Sequence, residues 1–277
     1  MTAGADFHRG LAALLFEVVN RDDAPDVAYY RAIIERSGQP ALDAGCGPGR
    51  LLCQFLRAGL DVDGCDISPD MVELCRRRAD AEGLTPSLHV QSTAELDLPR
   101  RYRTIVSCGT FGLNGTRADD VESLRRFHGH LEPGGTLAVD IEAGWVMTEV
   151  WKRCADARRS EPGEWTTRDS TPLPDGDDIV VRRRLIEADP LGQSFTLDLR
   201  YDLVRDGSVV RSEDHRLVER WYGVQEMVGM LEAAGFEDVR VEGDYAPVEV
   251  TADHRMHVFI ARRPWPDSGQ PVDYPPP

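Results

Sequence analysis

The feature that most constrains this chain is Asp43-Ala44-Gly45-Cys46-Gly47-Pro48-Gly49. It joins a short apolar strand pattern, residues 41–44, to a helical pattern that begins at Arg50. Glycines at this spacing let the backbone turn sharply and approach a ligand closely. In an open α/β sheet, ligands bind outside the carboxyl ends of the strands, which is where such a loop lies. A tight turn that needs glycine only for its geometry would look the same. Asp66, about 20 residues further on and at the end of the next strand pattern, favours the ligand reading, because an acid there can accept hydrogen bonds from ribose hydroxyls.

The surrounding patterns fit that frame. Residues 6–36 read as helical, broken at Asp22-Asp23-Ala24-Pro25, with a second helix starting near Pro25. Strand and helix patterns then alternate. Strands are expected at 41–44, 61–66, 87–91, 104–108 and 136–141, and helices at 50–58, 68–82 and 118–131. Ser68-Pro69-Asp70 is a strong helix start, with an N-cap, a proline at the first helical position and an acid in the first turn. Repeated βα units imply a doubly wound parallel sheet with helices on both faces.

Beyond residue 144 the periodicity changes. Residues 145–176 have no clean pattern, whereas 178–188, 193–205 and 209–221 alternate as strands, with Asp206-Gly207 as a hairpin turn. A helix over 224–234, capped by Gly235, precedes two strands at 238–242 and 257–261. The last fourteen residues hold six prolines and cannot form a regular helix or a central strand. The expected division is a helical cap over 1–37, a core over 38–144 and 223–263, an inserted antiparallel meander over 145–222 and a Pro-rich tail over 264–277.

Composition narrows the partners. With 48 acidic against 32 basic residues the net charge is −16, which disfavours nucleic acid, whose binding rests on Lys and Arg. No apolar run approaches a membrane span, and no export signal is evident, so a cytoplasmic location is expected. The six cysteines form no C-x-x-C pair and read as buried free thiols, and no metal site is expected. A homodimer contact through the tail or the meander is left open.

Dinucleotide-binding loops read G-x-G-x-x-G, but here the third glycine would fall at Arg50. The block Leu42-Asp43-Ala44-Gly45-Cys46-Gly47-Pro48-Gly49 resembles the first motif of class I S-adenosylmethionine (SAM) dependent methyltransferases. Val62-Asp63-Gly64-Cys65-Asp66-Ile67-Ser68-Pro69-Asp70-Met71 resembles their second, and Leu131-Glu132-Pro133-Gly134-Gly135-Thr136-Leu137 the turn before their fifth strand. Leu231-Glu232-Ala233-Ala234-Gly235-Phe236 is similar to the helix before their sixth. The resemblance covers residues 38–142 and implies a seven-stranded Rossmann-like sheet with an antiparallel last strand.

The resemblance also implies a site. Asp43, Gly45, Cys46, Gly47 and Gly49 would line the methionine end of SAM. Asp66 would hold the ribose, with Ile67 and Met71 against the adenine face. Thr93, Ala94 and Glu95 would meet the adenine edge. Many members carry Asp where this chain has Thr93, so Glu95 or a backbone group would substitute. Cys108 and Gly109 would lie beneath the sulfonium, and Tyr29 or Tyr30 would cover the ligand. The implied activity is methyl transfer to N, O or C of a small molecule, leaving S-adenosylhomocysteine (SAH), with alignment as the main catalytic factor. A SAM-binding protein without transferase activity and an NAD-dependent oxidoreductase are the alternatives. Two catalytic candidates are positional. Glu142 follows the fifth strand, where a capping acid is an equal reading. His215 lies in the third meander strand, where a solvent-facing histidine is the plainer reading.

Overall fold

The computed structural model describes residues 8–19, 24–143 and 163–265. Calls that fall on the remaining residues, including Cys154 and the tail beyond Trp265, lie outside it.

The first helices, α1 (Gly10–Val19) and α2 (Pro25–Ser37), lead into five strands and three helices: β1 (Ala41–Ala44), α3 (Arg50–Arg57), β2 (Val62–Asp66), α4 (Pro69–Ala81), β3 (Leu88–Val90), β4 (Tyr102–Ser107), α5 (Arg117–His130) and β5 (Leu131–Glu142). A second run follows: β6 (Thr166–Pro172), β7 (Asp178–Asp189), β8 (Ser194–Arg205) and β9 (Ser208–Arg220). The chain then closes with α6 (Val224–Ala233), β10 (Glu237–Gly243) and β11 (Met256–Arg262).

The main sheet has the order β10-β11-β5-β4-β1-β2-β3. Strands β1 to β5 run parallel, and β11 is antiparallel to both β5 and β10. This is the expected doubly wound seven-stranded sheet. Every residue of β1 and β2 is buried, as a parallel strand covered on both faces must be. Successive residues alternate between two cores. Leu42, Ile105, Leu137 and Phe259 pack with Leu124, Phe127 and Leu231, from α5 and α6. Their neighbours Ala41, Val106, Ala138 and Val258 pack with Tyr30, Ile33, Leu52 and Phe55, from α2 and α3.

Local chemistry explains the helix starts near the cleft. Ser68 Oγ accepts from Met71 N at 3.3 Å, and Pro69 opens α4. Thr116 and Asp119 form a reciprocal capping box at α5, satisfying donors that a helix leaves unpaired.

The strands after residue 162 form a separate antiparallel sheet, β6-β7-β8-β9. Asp206 and Gly207, both at positive φ, make the tight β8–β9 hairpin. Strand β6 is not visible in the sequence pattern. Its segment, Thr-Thr-Arg-Asp-Ser-Thr-Pro, is polar, and as an edge strand it pairs only with β7, so no apolar alternation marks it. The inner face of this sheet carries Ile179, Val181, Leu199, Tyr201 and Leu217 against Leu11 and Ala12 of α1. The opposite side of α1 reaches α4, where Ala13 and Phe16 meet Met71 and Leu74. Helix α1 is therefore wedged between the inserted sheet and the main domain.

Candidate active site

Two cavities open at the carboxyl ends of β1, β2 and β4. The smaller, about 270 Å³, is lined by the first glycine loop with Asp43, Arg50, Asp26, Met71, Cys108, Gly109 and Tyr245. The larger, about 520 Å³, runs from Asp66 and Ile67 past Thr93–Glu95 to Phe111, Asn114, Thr116 and Arg220. Four residues line both: His8, Gly45, Asp66 and Thr110.

In the smaller cavity, Gly47 sits at φ +53° and a Cβ there would meet nothing within 4 Å, so the backbone is bare towards the cavity. Asp43 is 1% exposed, and its Oδ2 has no hydrogen-bond partner. Burial, opposed by nearby Arg50 and reinforced by Asp66, raises its pKa from 3.8 to about 7. A buried carboxylate oxygen without a donor favours any cationic ligand group placed against it. Asp66 accepts from Gly47 N at 2.9 Å and from Ser68 N at 2.8 Å. Burial holds its pKa up despite both bonds.

An ion pair completes this end. Arg50 at the start of α3 meets Asp26 at the start of α2 through two bonds of 2.8 and 2.5 Å. Behind the Cys108–Gly109 loop lies Asp140, which accepts from Gly109 N at 2.6 Å and from the hydroxyls of Tyr30 and Tyr245 at 2.9 Å each. Burial raises the Asp140 pKa, and these three donors and Cys108 oppose it.

At the far end of the larger cavity, the inserted sheet supplies the wall. Asn114 N donates to Val218 O at 2.7 Å, and Val218 N to Asn114 Oδ1 at 2.9 Å. The Arg220 guanidinium donates to the carbonyls of Gly115 and Gly192, and its N–H to Gly112 O. A Cβ on Gly112 would come within 2.6 Å of Arg220 O, so this close crossing requires glycine. Tyr222 donates to Asp120 at 2.5 Å, and its ring packs on Phe111.

The cavities bring together Asp43, Gly45, Cys46, Gly47, Asp66, Ile67, Met71, Thr93, Ala94, Glu95, Cys108 and Gly109. Five anticipated residues lie elsewhere. Gly49, at φ +85°, lines neither cavity and lies against the thiol of Cys75, where a Cβ would come within 2.6 Å. Tyr29 is 7% exposed and donates to Glu242 at 2.7 Å. Tyr30 is likewise core, and the tyrosine that lines the smaller cavity is Tyr245. Glu142 points to the surface, 42% exposed, and lies 3.7 Å from Arg255. His215 lines neither cavity. It packs edge-on against Tyr201 and lies 3.4 Å from Glu213. The sequence reading missed His8, Asp26, Asp140 and Tyr245. Only Asp26, an acid in the first turn of a proline-started helix, carried a local signal.

Cys46, Cys53, Cys65 and Cys75 are buried free thiols. Among the described residues, no cluster of three His, Cys, Asp or Glu side chains could hold a metal ion. No described helix is long and apolar enough to cross a membrane.

A methyltransferase-domain family model matches residues 41–135. The putative methyltransferase YqeM of Bacillus subtilis is 23% identical over 226 residues, spanning 80% of this chain and 83% of that protein. The dTDP-3-amino-3,4,6-trideoxy-alpha-D-glucopyranose N,N-dimethyltransferase of Streptomyces venezuelae is 29% identical over 140 residues, spanning 47% of this chain and 57% of that one. Five further curated relatives are matched over 28% to 56% of their own length. In fold, a SAM-dependent methyltransferase from Clostridium acetobutylicum superposes with a TM-score of 0.70 at 17% identity, covering 91% of this chain and 97% of that one.

Proposed function

Since this chain belongs to the class I SAM-dependent methyltransferases, we propose that it methylates an amine nitrogen on a small, sugar-sized acceptor. The observation that carries this reading is the pair of joined cavities, with the unpartnered Asp43 oxygen in one and the wall of the inserted sheet around the other.

The residues of the smaller cavity fit SAM. The bare backbone at Gly47 and the orphaned Asp43 oxygen suit an amino-acid end that carries an ammonium. Arg50, held by Asp26, would face its carboxylate, and Asp66 the ribose. Ile67, Met71 and Thr93–Glu95 would border the adenine. When bound, SAM supplies an electrophilic methyl group on a neutral leaving group.

The chain's own residues then have to align the acceptor and exclude water. Four of the five acids that line the larger cavity are already engaged, and the fifth, Glu95, belongs to the Thr93–Glu95 segment that would border the adenine. Asp66 is held by two backbone N–H groups, Asp119 by Thr116, Asp120 by Tyr222 and Glu122 by Arg126. Such a site suits an amine, whose lone pair attacks once uncharged, better than a hydroxyl that needs its proton removed. Two relatives, 29% and 31% identical over about half of this chain, are named as N,N-dimethyltransferases of dTDP-linked amino sugars, which supports the same class. The inserted sheet acts as a lid: Val218 and Arg220 close the acceptor end and are hydrogen-bonded to the loop after β4.

The test pairs calorimetry with SAM, SAH and NAD against transfer from methyl-labelled SAM to matched panels of amino sugars and phenols. Tight SAH binding with label on amino sugars is expected. Label on phenols alone would overturn the amine reading, and binding of NAD without SAM would overturn the methyl-donor reading.

A further inference from the structure

His8 lies where the two cavities join. Of the four residues that line both, Gly45, Asp66 and Thr110 belong to the loops and strand ends of the main sheet. His8 is the fourth, and it comes from outside that sheet, from the segment that leads into α1.

Its position is built by the tertiary structure. Ser68 Oγ donates to His8 O at 2.5 Å, and Gly10 N donates to Asp70 Oδ2 at 3.0 Å. These bonds tie residues 8–11, a strap that leads into α1, to the N-terminus of α4, beside Asp66. Leu11 N donates to Glu213 Oε2 of β9 at 2.7 Å, which ties the same strap to the inserted sheet. The imidazole packs edge-on against Phe16, with ring centres 5.1 Å apart, and Phe16 also lines the smaller cavity. The strap is thus held from the donor side and the lid side at once.

We propose that His8 is an acceptor-binding residue, its ring nitrogen taking a hydrogen bond from the N–H of the nucleophile at the junction of the two cavities. The inference rests on the methyl-donor reading above and deepens it. An acceptor entering through the larger cavity has to reach the donor end past His8, Gly45, Asp66 and Thr110. Burial, then the nearby His215, push the imidazole pKa down to about 4. At neutral pH the ring is therefore uncharged: it can accept a hydrogen bond and adds no positive charge beside a cationic donor.

Sinefungin tests this without knowledge of the acceptor. In this SAM analogue a carbon-bound amine replaces the methylsulfonium, so an N–H donor stands where methyl transfer occurs, whereas SAH has none there. Calorimetry would compare both ligands on the wild-type protein, His8→Ala and His8→Gln. The expected result for His8→Ala is a sinefungin affinity about tenfold weaker, with SAH unchanged within about twofold. His8→Gln, which keeps an acceptor, should recover most of the loss. Equal losses for the two ligands would make His8 part of the donor pocket only, and no loss for either would place it outside the site; both overturn the inference. A wild-type protein that binds neither ligand would overturn the methyl-donor reading and this inference with it, a result distinct from either variant outcome.

Discussion

Replacing Asp43 by asparagine should stabilise the ligand-free protein at alkaline pH and weaken SAH binding. The wild-type carboxyl is buried, one of its oxygens has no partner, and its pKa stands at about 7 against an ordinary 3.8. That difference corresponds to about 4 kcal/mol. The folded protein holds this proton more tightly than the unfolded chain does. Asp43 therefore subtracts nothing below the ordinary carboxylate range, and stability falls as pH rises from about 4 through about 7. Above that window the ionised group lowers stability by the full amount. Asparagine removes this loss but leaves an amide N–H₂ in the orphan position, which costs about 1–3 kcal/mol. A net gain of about 1–3 kcal/mol remains, or roughly 5 °C in melting temperature near pH 8. Burial also raises Asp66, Asp120 and Asp140, so only the difference between variant and wild type isolates Asp43. The assay is thermal melting followed by circular dichroism at about pH 5 and pH 8. Calorimetry of SAH in buffers of different ionisation enthalpy complements it. At about pH 6 the wild type should release a proton on binding and the variant should not. A wild-type-to-variant difference that does not change with pH, or proton release that survives the substitution, would refute the reasoning.

Other substitutions separate the site from its surroundings. Arg50→Ala strands Asp26, whose side chain is only 9% exposed; a loss of about 3 kcal/mol in a denaturant titration is expected, with SAH at least tenfold weaker by calorimetry. Gly47→Ala forces a side chain into φ +53° at a cost of about 1–2 kcal/mol, and because the new Cβ points into open space, SAH affinity should fall by more than stability does. Glu142→Gln removes only an exposed charge, so stability should move by less than about 0.5 kcal/mol and methyl transfer should be unchanged; a large loss of turnover would restore Glu142 as a catalytic candidate.

The part of the cavity lining that comes from the first two motifs was legible because its signals are local. Asp43, Gly45 and Gly47 lie within one loop, and Asp66, Ser68 and Met71 within one strand-to-helix turn, so spacing alone brings them together. Gly49 shows the limit of such reading: it belongs to the motif, yet it lines neither cavity. Tyr29 and Tyr30 were sound expectations for a buried helix face, but α2 turns them towards Glu242 and Asp140. Tyr245 reaches the cavity from a loop whose sequence gives no hint of it.

What the sequence by itself determined is the alternation of strand and helix, the sheet it implies, and the loop around Gly45–Gly49 with Asp66 beside it. These follow from backbone geometry, periodicity and capping, each set by neighbours in the chain. Only the tertiary structure decided what closes the far end of the larger cavity and what reaches the smaller one from outside the motifs. Leu11 and Glu213, joined by a hydrogen bond, are 202 positions apart, and Tyr245 and Asp140 are 105 apart. No local pattern records such pairs, because they form only when the inserted sheet, α1 and the last strands pack against the parallel core.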